Sequence, residues 1–310
     1  MRILCILVLC VSFLTACQPT PDPLRIGSNR WLGYGPIYLA DELGWATSSN
    51  IRLIEYPSAN GVIRGMQNGL LDAGFLTLDE AIILQSTGQN IEIILISNLS
   101  AGADVLYAKP SIRKLEQLKG ARIAIESNTL GPYFIYHTLD QANLSLNDIE
   151  VINLPNYLHL EALQTGSIDA MINTSAVHEQ ALAAGMLPLF SSRNLPEEII
   201  DVLVVNRERI SPELRRRIQA LWYSSLDAWL EQRPKSDKLL YKRLGINEST
   251  LNITLDGMVM GDQALNAAYF NQGVLANRIN TMQRFMLDKK LLKHPIDTSQ
   301  LLPQCSGNAC

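Results

Sequence analysis

From Leu24 onwards the chain alternates short apolar runs with amphipathic stretches, and this alternation limits the possible folds more than any other feature. The runs are rich in Ile, Leu and Val and are bounded by Gly, Asn, Asp or Pro, which is typical of strands. A strand, a helix and a further strand form the repeating unit of a parallel sheet. The alternation therefore predicts an α/β fold.

The predicted elements follow one another along most of the chain. Strands are predicted at 24–26, 51–55, 73–76, 91–96, 105–108, 121–125, 149–154, 170–173, 187–190 and 199–205. Helices are predicted at 36–43, 58–69, 79–88, 111–118, from 133 onwards and at 157–164. Ser211 is a predicted N-cap before Pro212, and helices should follow at 213–232, 234–244, 261–270 and 280–291.

A short internal repeat suggests two lobes. Residues 69–76 and 166–173 share a Gly-x-x-Asp-Ala step between a predicted helix and a predicted strand, about 97 residues apart. The turns at 25–40 and 126–132 also resemble one another, because each links a strand to a helix through Gly, Asn and Pro. In an open α/β sheet, small ligands bind beyond the carboxyl ends of the strands. Trp31 lies in the first turn, where it either packs on the sheet edge or contacts a ligand.

The N-terminus predicts export and lipidation. Arg2 precedes an apolar run at 3–14, which is too short to span a membrane and has the length of a secretory signal. Leu14-Thr15-Ala16-Cys17 resembles the bacterial lipobox, in which the signal peptide (1–16) is removed and Cys17 becomes the lipidated first residue. Residues 17–23 form a Pro-rich tether. The alternative is an ordinary signal peptide with an incidental cysteine.

The composition is that of an ordinary globular protein, with a net charge of −4 and 47% hydrophobic residues. There is no basic excess, which argues against nucleic acid as a partner. Cys305 and Cys310 form a C-x4-C motif that we expect to be a disulfide in an oxidising compartment, a reduced tail being the alternative. No metal or cofactor is predicted.

Several segments in order carry a family resemblance. Residues 31–40 (WLGYGPIYLA) resemble the start of the solute-binding proteins of nitrate, alkanesulfonate, taurine and thiamine-pyrimidine ABC importers. Further segments similar to that family are 69–73, 103–109, 115–124 and 201–205. The resemblance implies a type II periplasmic binding protein, in which two α/β lobes joined by two crossover strands enclose the ligand. It implies lobe one at 24–107 and 203–292, lobe two at 108–202, and a tail at 293–310.

The candidate ligand-binding residues lie at or just after strand ends. They are Trp31, Thr77, Asp79, Asn98, Asp104, Glu126, Ser127, Asn128, Thr129, Asn173, Thr174 and Asp201. Helix capping is the alternative role for Asp79 and for 127–129, and hinge hydrogen bonding is the alternative for Asp104 and Asp201. In taurine-type members an Asp that opens the return strand meets the amine of the ligand, and Asp201 matches that position.

Two departures from the family pattern concern the ligand. Glu126 stands where the family has Gly or a small hydroxyl residue, and 174–176 replace an aromatic-Pro or Glu-Pro pair. Carboxylates at Glu126, Asp79 and Asp201 would repel a bare oxyanion such as nitrate. They suit an amine, a zwitterion or a hydrogen-bonding heterocycle.

The resemblance implies a monomeric periplasmic protein that delivers a small molecule to an ABC permease and its ATPase. One alternative is a lipoprotein that reports ligand occupancy to a membrane receptor. Another is an enzyme of the same fold, as in pyrimidine or menaquinone biosynthesis. Catalysis would require a positioned His, Cys or Lys in the cleft. Of His137, His159, His178 and His294, only His178 falls near it, so we expect no enzyme.

Overall fold

The computed structural model describes residues 22–303. The signal peptide, Cys17 and the Cys305–Cys310 pair lie outside this range. The strands are β1 (Leu24–Asn29), β2 (Ile51–Tyr56), β3 (Ala73–Thr77), β4 (Ile91–Ser100), β5 (Asp104–Ala108), β6 (Arg122–Ile125), β7 (Glu150–Asn153), β8 (Ala170–Thr174), β9 (Leu187–Ser191), β10 (Ile200–Asn206) and β11 (Met258–Met260).

The α-helices are α1 (Gly35–Glu42), α2 (Trp45–Ser48), α3 (Ala59–Gln67), α4 (Leu78–Ser86), α5 (Leu130–Gln141), α6 (His159–Gln164), α7 (His178–Ala183), α8 (Pro212–Glu231), α9 (Arg233–Leu244), α10 (Glu248–Asp256), α11 (Gln263–Asn271) and α12 (Val274–Asp288). Short 3₁₀ helices occupy Leu32–Tyr34, Leu115–Leu118, Leu146–Asp148, Asn156–Leu158, Ser175–Val177, Ser192–Asn194 and Thr298–Leu301. Within 22–303, every helix is too short or too polar to cross a lipid bilayer.

Two mixed sheets form the centres of two lobes. The first has the strand order β11-β4-β10-β3-β1-β2, and the second has the order β7-β6-β8-β5-β9. In the first sheet β1 is parallel to β2 and β3, whereas β10 is antiparallel to β3 and β4. In the second sheet β6 is parallel to β7 and β8, whereas β5 is antiparallel to β8 and β9. The predicted α/β class is confirmed.

The chain passes between the sheets slightly earlier than the boundaries expected at 107 and 203. It leaves the first sheet after Ser100 and returns at Ile200, so that β5 belongs to the second lobe. The apolar residues of β5 alternate between the faces of that sheet. Leu106 packs in the core on one side and Tyr107 packs in the core on the other. This burial on both faces holds β5 in the second lobe.

The helical C-terminal third packs onto the first lobe. On one face of its sheet, Trp222 and Trp229 of α8 are almost fully buried together with α1. On the other face, α3 and α4 pack with α12, and Leu301 is buried there as well. The predicted helix at 280–291 starts earlier, at Val274, because Gly273 caps it in the left-handed conformation (φ 70°).

The repeated step has the same structure in both lobes. Its two glycines have φ values of 67° and 71°, which an L side chain rarely adopts. The Asp72 carboxylate accepts hydrogen bonds from the backbone N–H (3.0 Å) and Nε (2.9 Å) of Arg25. Asp169 accepts the same pair from Arg122, each at 2.9 Å. Each clamp ties the start of one strand, β1 or β6, to the start of the parallel strand beside it, β3 or β8, so the lobes share one local plan.

Candidate ligand-binding site

A cavity of about 300 Å³ lies between the two lobes. Its lining comes from both lobes: Asn29, Arg30, Trp31, Tyr34, Pro57, Ser58, Ala59, Thr77, Glu80, Asp104, Glu126, Thr129, Leu130, Asn156, Tyr157, Asn173, Thr174, Ala176, Val177 and Asp201. Two larger cavities, of about 640 and 630 Å³, are lined by first-lobe residues alone. A ligand in the interlobe cavity would therefore contact both lobes, whereas a ligand in either larger cavity would contact the first lobe alone.

The first-lobe wall is centred on Asp201, the second residue of β10. Its backbone is in register with Thr77 on β3 and Asn98 on β4, so these three residues form a row across the sheet. Trp31 Nε1 donates to Asp201 Oδ2 at 3.2 Å, and the Tyr34 hydroxyl donates to Oδ1 at 2.8 Å. Both donors come from the turn after β1. Trp31 thus packs on the sheet, with 6% of its surface exposed, and also lines the cavity.

Two aspartates with raised pKa values face the cavity. Burial, reinforced by the charge of Asp104, raises the pKa of Asp201 to about 7, although the hydrogen bonds from Tyr34 and Trp31 oppose this rise. Burial is also the main cause that raises the pKa of Asp104 to about 6. Both carboxyl groups therefore change protonation in the range between mildly acidic and neutral pH.

The N-terminus of α4 supplies a further carboxylate to the cavity. Glu80 Oε2 accepts a hydrogen bond from the Thr77 backbone N–H at 2.8 Å, in the capping-box arrangement. This contact turns Glu80 back to the cavity, whereas Asp79 lies outside the lining and is 1% exposed. Burial raises the pKa of Asp79 to about 6, and burial together with the Asp79 charge raises the pKa of Glu80 well above its ordinary value.

The second-lobe wall is held together by side-chain hydrogen bonds. Glu126 Oε1 accepts from Asn60 Nδ2 at 2.9 Å, and Oε2 accepts from the Asn156 backbone N–H at 3.2 Å. Asn173 Nδ2 donates to the Asn156 carbonyl at 3.0 Å. The Thr129 hydroxyl donates to the Glu126 carbonyl at 2.9 Å. Both oxygens of Glu126 thus accept a hydrogen bond within the protein.

Four of the expected site residues lie outside the lining: Asp79, Asn98, Ser127 and Asn128. Asn98 is fully buried and donates to the Gly33 carbonyl at 3.3 Å, so it supports the turn that carries Trp31. Asn128 has a φ of 60°, because the turn before α5 requires a left-handed residue there. Its side chain is exposed to solvent. The other eight expected residues line the cavity, as Thr174 does at the end of β8.

Sequence reasoning missed Tyr34, Glu80, Asn156 and Tyr157. Glu80 was detectable, since Thr77 and Glu80 have the spacing of a capping box. Asn156 and Tyr157 lie in a short 3₁₀ helix and follow no strand end directly, and nothing in the local sequence marks them.

The lobes also contact each other directly. Asn60 of α3 donates to Glu126 and to the Ser127 carbonyl, each at 2.9 Å. Elsewhere, Glu179 of α7 accepts hydrogen bonds from Asn247 at 3.0 Å and from Thr250 at 3.3 Å. These contacts join α3 and α10 of the first lobe to the second lobe.

None of the histidines in the described range is among the residues that line the cavity, although His178 directly follows the lining residue Val177. His178 is the first residue of α7, and its Nδ1 is 3.3 Å from the Tyr107 hydroxyl. His159 is fully buried with Nε2 3.0 Å from the Leu154 carbonyl. Among residues 22–303, the lining includes no His, Cys or Lys, and no group of three or more His, Cys, Asp or Glu is arranged to hold a metal ion.

Two lobes with mixed sheets, joined by two passages of the chain and enclosing a polar cavity, form the fold of the type II periplasmic binding proteins. The chain belongs to the NMT1-like family, whose model matches residues 17–240.

Relatives and structural neighbours agree with this assignment. The chain is 25% identical over 224 residues to the taurine-binding periplasmic protein of Escherichia coli (strain K12), with 68% of each chain covered. It is 23% identical over 180 residues to the putative aliphatic sulfonates-binding protein of the same organism, and spans only 56% of that relative. The alkanesulfonate-binding protein SsuA from Xanthomonas axonopodis pv. citri, bound to MOPS, superimposes with a TM-score of 0.78 at 17% identity, covering 93% of this chain and 100% of that one.

The fold also occurs in an enzyme. The desulfurization enzyme DSZB superimposes with a TM-score of 0.65 at 16% identity, covering 91% of this chain and 96% of that one. Fold alone therefore does not exclude catalysis, which depends on the side chains that line the cavity.

Proposed function

We propose that this protein captures a small organic solute outside the cytoplasm and delivers it to the permease of an ABC importer. The observation that carries the proposal is the interlobe cavity, which buries polar side chains of both lobes around a space of about 300 Å³. A ligand that contacts both walls stabilises the closed arrangement relative to an open one, and a membrane partner can recognise that difference. Membership of the NMT1-like family supports the same role.

Three solute classes are compatible with the family: sulfonates of the taurine type, other amine-bearing molecules, and pyrimidines. The names of the two bacterial relatives favour a sulfonate. The Asp201 carboxylate, oriented by Trp31 and Tyr34, favours an amino group.

We propose a binding role rather than catalysis. The described lining offers carboxylates, amides, hydroxyls and aromatic rings, but no His, Cys or Lys, which are the residues that the enzyme alternative would need in the cleft. A receptor-linked sensor would use the same closure of the lobes. Loss of solute uptake on deletion of the protein supports transport, whereas unchanged uptake with a lost transcriptional response supports sensing.

Anchoring through Cys17 completes the proposal, with the signal peptide removed before that residue and a monomer in the periplasm. Cys17→Ser should move the protein from the membrane fraction to the soluble fraction without changing its affinity for ligand. A variant that remains in the membrane fraction argues against the lipid anchor.

A thermal-shift screen tests solute binding directly. The purified protein is heated with sulfonates, amino-sulfonates, nitrate, pyrimidines and amines. A ligand present at 100 times its Kd should raise the free energy of unfolding by about 2.7 kcal/mol. Trp31 fluorescence should change on binding of the same ligand, because this side chain lines the cavity. The absence of any stabilising compound in all five classes would contradict the proposed solute classes.

A further inference from the structure

Away from the interlobe cavity, buried carboxylates are paired with cations. Glu92 is fully buried and forms ion pairs with Arg207 (2.6 Å) and Arg215. Asp72 is 8% exposed and pairs with Arg25 at 2.6 Å. This pairing is expected, since an isolated charge costs several kcal/mol to bury.

The cavity carboxylates lack such partners. Glu80, Asp104, Glu126 and Asp201 are between 3% and 6% exposed, and none has an ion pair with a Lys or Arg of the described chain. Buried Asp79 stands beside them and is likewise unpaired, and its Oδ1 has no hydrogen-bond partner.

The one cationic side chain of the lining does not balance these charges. Arg30 has 68% of its side chain exposed, and its Nε is already engaged with Glu55 at 3.3 Å. Solvent screening therefore weakens its field at the buried carboxylates. When these carboxyl groups ionise, the site has an excess of negative charge that no cation of the described protein balances.

We propose that the ligand is a small organic cation whose ammonium group binds between Asp201 and Asp104, and that it needs no sulfonate or other anionic group. This inference rests on the proposed solute-binding function and names the solute class. An organic cation without a sulfonate group differs from the taurine and sulfonates for which the two bacterial relatives are named. The size of the cavity supports a small molecule, because about 300 Å³ corresponds to the liquid volume of about ten waters.

The raised pKa values of Asp201 and Asp104 agree with a missing cation. In the ligand-free protein, Asp201 holds a proton in about half of the molecules at a pH near its pKa of about 7, whereas Asp104, with a pKa of about 6, is protonated mainly at mildly acidic pH. An ammonium ion that binds there favours the ionised carboxylates, so protons leave as the ligand enters. No bond is made or broken other than the O–H bonds of the carboxyl groups, and the released protons go to the buffer.

One feature of the cavity could favour an anion. The N-termini of α3 and α5 border it at Ala59 and Leu130, and helix N-termini attract negative charge. Glu126, however, lies in the lining on the same side and accepts a hydrogen bond from Asn60 of α3. An anionic group there would stand beside a carboxylate. The competing ligand is a zwitterion that places its ammonium group at the aspartates and its anionic group at the helix N-termini. The titration below distinguishes it from a simple cation.

Calorimetric titration with matched probes tests the inference on the purified protein. The cations are ethanolamine, choline and 1,4-diaminobutane, the zwitterion is taurine and the anion is ethanesulfonate. Ethanolamine, taurine and ethanesulfonate share a two-carbon chain and differ in the charged groups they carry. We expect at least one cation to bind at least tenfold more tightly than taurine, no binding of ethanesulfonate, and proton release in buffers of different ionisation enthalpy.

Other outcomes overturn the inference in distinguishable ways. Tighter binding of taurine or ethanesulfonate than of every cation refutes the cation but leaves the solute-binding function standing. No binding of any of the five probes also refutes the cation class, and the wider thermal-shift screen then decides the function.

Variants locate the cation within the cavity. Asp201→Asn and Asp104→Asn should each weaken binding of the best cation at least tenfold, whereas Asp256→Asn, at a side chain that is 81% exposed, should leave it unchanged. Asp104→Asn keeps the test valid if Asp201→Asn does not fold, since Asp104 is not the acceptor for Trp31 and Tyr34. Cation affinity that is unchanged in a folded Asp104→Asn protein refutes the proposed position.

Discussion

The pKa of Asp201 makes a quantitative prediction about the stability of the ligand-free protein. Burial raises this pKa from 3.8 to about 7. The folded state therefore binds one more proton than the unfolded state between these two values. Because stability falls with pH wherever the folded state binds more protons, Asp201 should destabilise the protein progressively as pH rises from about 4 to about 7.

Asp201→Asn removes this titration. From pH 4.5 to pH 8, the ionisation of Asp201 should cost the wild type about 3 kcal/mol of folding free energy. The variant escapes this loss, and its melting temperature should gain about 5 °C on the wild type over the same interval. Asn also replaces one acceptor of Trp31 or Tyr34 by an amide, which lowers stability at every pH. The slope with pH, rather than stability at one pH, is therefore the readout.

Urea unfolding of both proteins at a series of pH values measures the slope. Asp256→Asn serves as the matched control, since the same chemical change on an exposed side chain should leave the slope unaltered. Equal slopes for wild type and Asp201→Asn would refute the reasoning, because Asp201 would then have the same pKa in the folded and unfolded chains.

Three further substitutions test other parts of the structure. Asn60→Ala removes the interlobe hydrogen bonds of α3, so ligand dissociation in stopped-flow experiments should accelerate roughly fivefold, from the loss of about 1 kcal/mol; an unchanged rate contradicts a role in closure. Asp169→Ala should lower the free energy of unfolding in urea by about 2 kcal/mol, because it breaks the clamp of the second lobe. Asp256→Ala, on an exposed ion pair, should lower it by less than about 0.5 kcal/mol, and equal losses would contradict a stabilising role of the clamp. Gly261→Ala places a methyl group 1.8 Å from the Ile96 carbonyl oxygen, so the free energy of unfolding should fall by more than about 2 kcal/mol. Stability near that of the wild type would show that β4 and β11 separate easily.

The strand positions could be predicted because hydrophobic runs are local. The segments 73–76 and 199–205 are apolar enough to be recognised alone, and both lie at the centre of the first sheet. β11 could not be found in this way. It is a short edge strand between Gly257 and Gly261, and it exists because β4 offers it hydrogen-bond partners. α10 was missed as well, since its Thr-rich and Asn-containing sequence has low helix propensity and depends on the Asn247 cap.

The site was predictable where strands start or end next to the other lobe. Asp104 is the first residue of β5 and Asp201 is the second residue of β10, the two strands that the chain enters from the other lobe, and this position places both residues at the cavity. Asn60 could not be inferred from its sequence context. It belongs to a helix of one lobe and reaches a carboxylate of the other, so its role depends on how the lobes meet.

The charge balance of the cavity could not be predicted from the sequence, because it depends on which charged side chains the fold brings together. A net charge of −4 over 310 residues describes a nearly balanced protein, and Glu92 with its two arginines shows that this balance can be strictly local. The cavity departs from that rule while the sheets around it keep the arrangement of the family. Because one fold can hold sites of different charge, replacement of a few side chains can change the accepted solute without changing the lobes. Asp104 and Asp201 are the positions at which that difference can be measured.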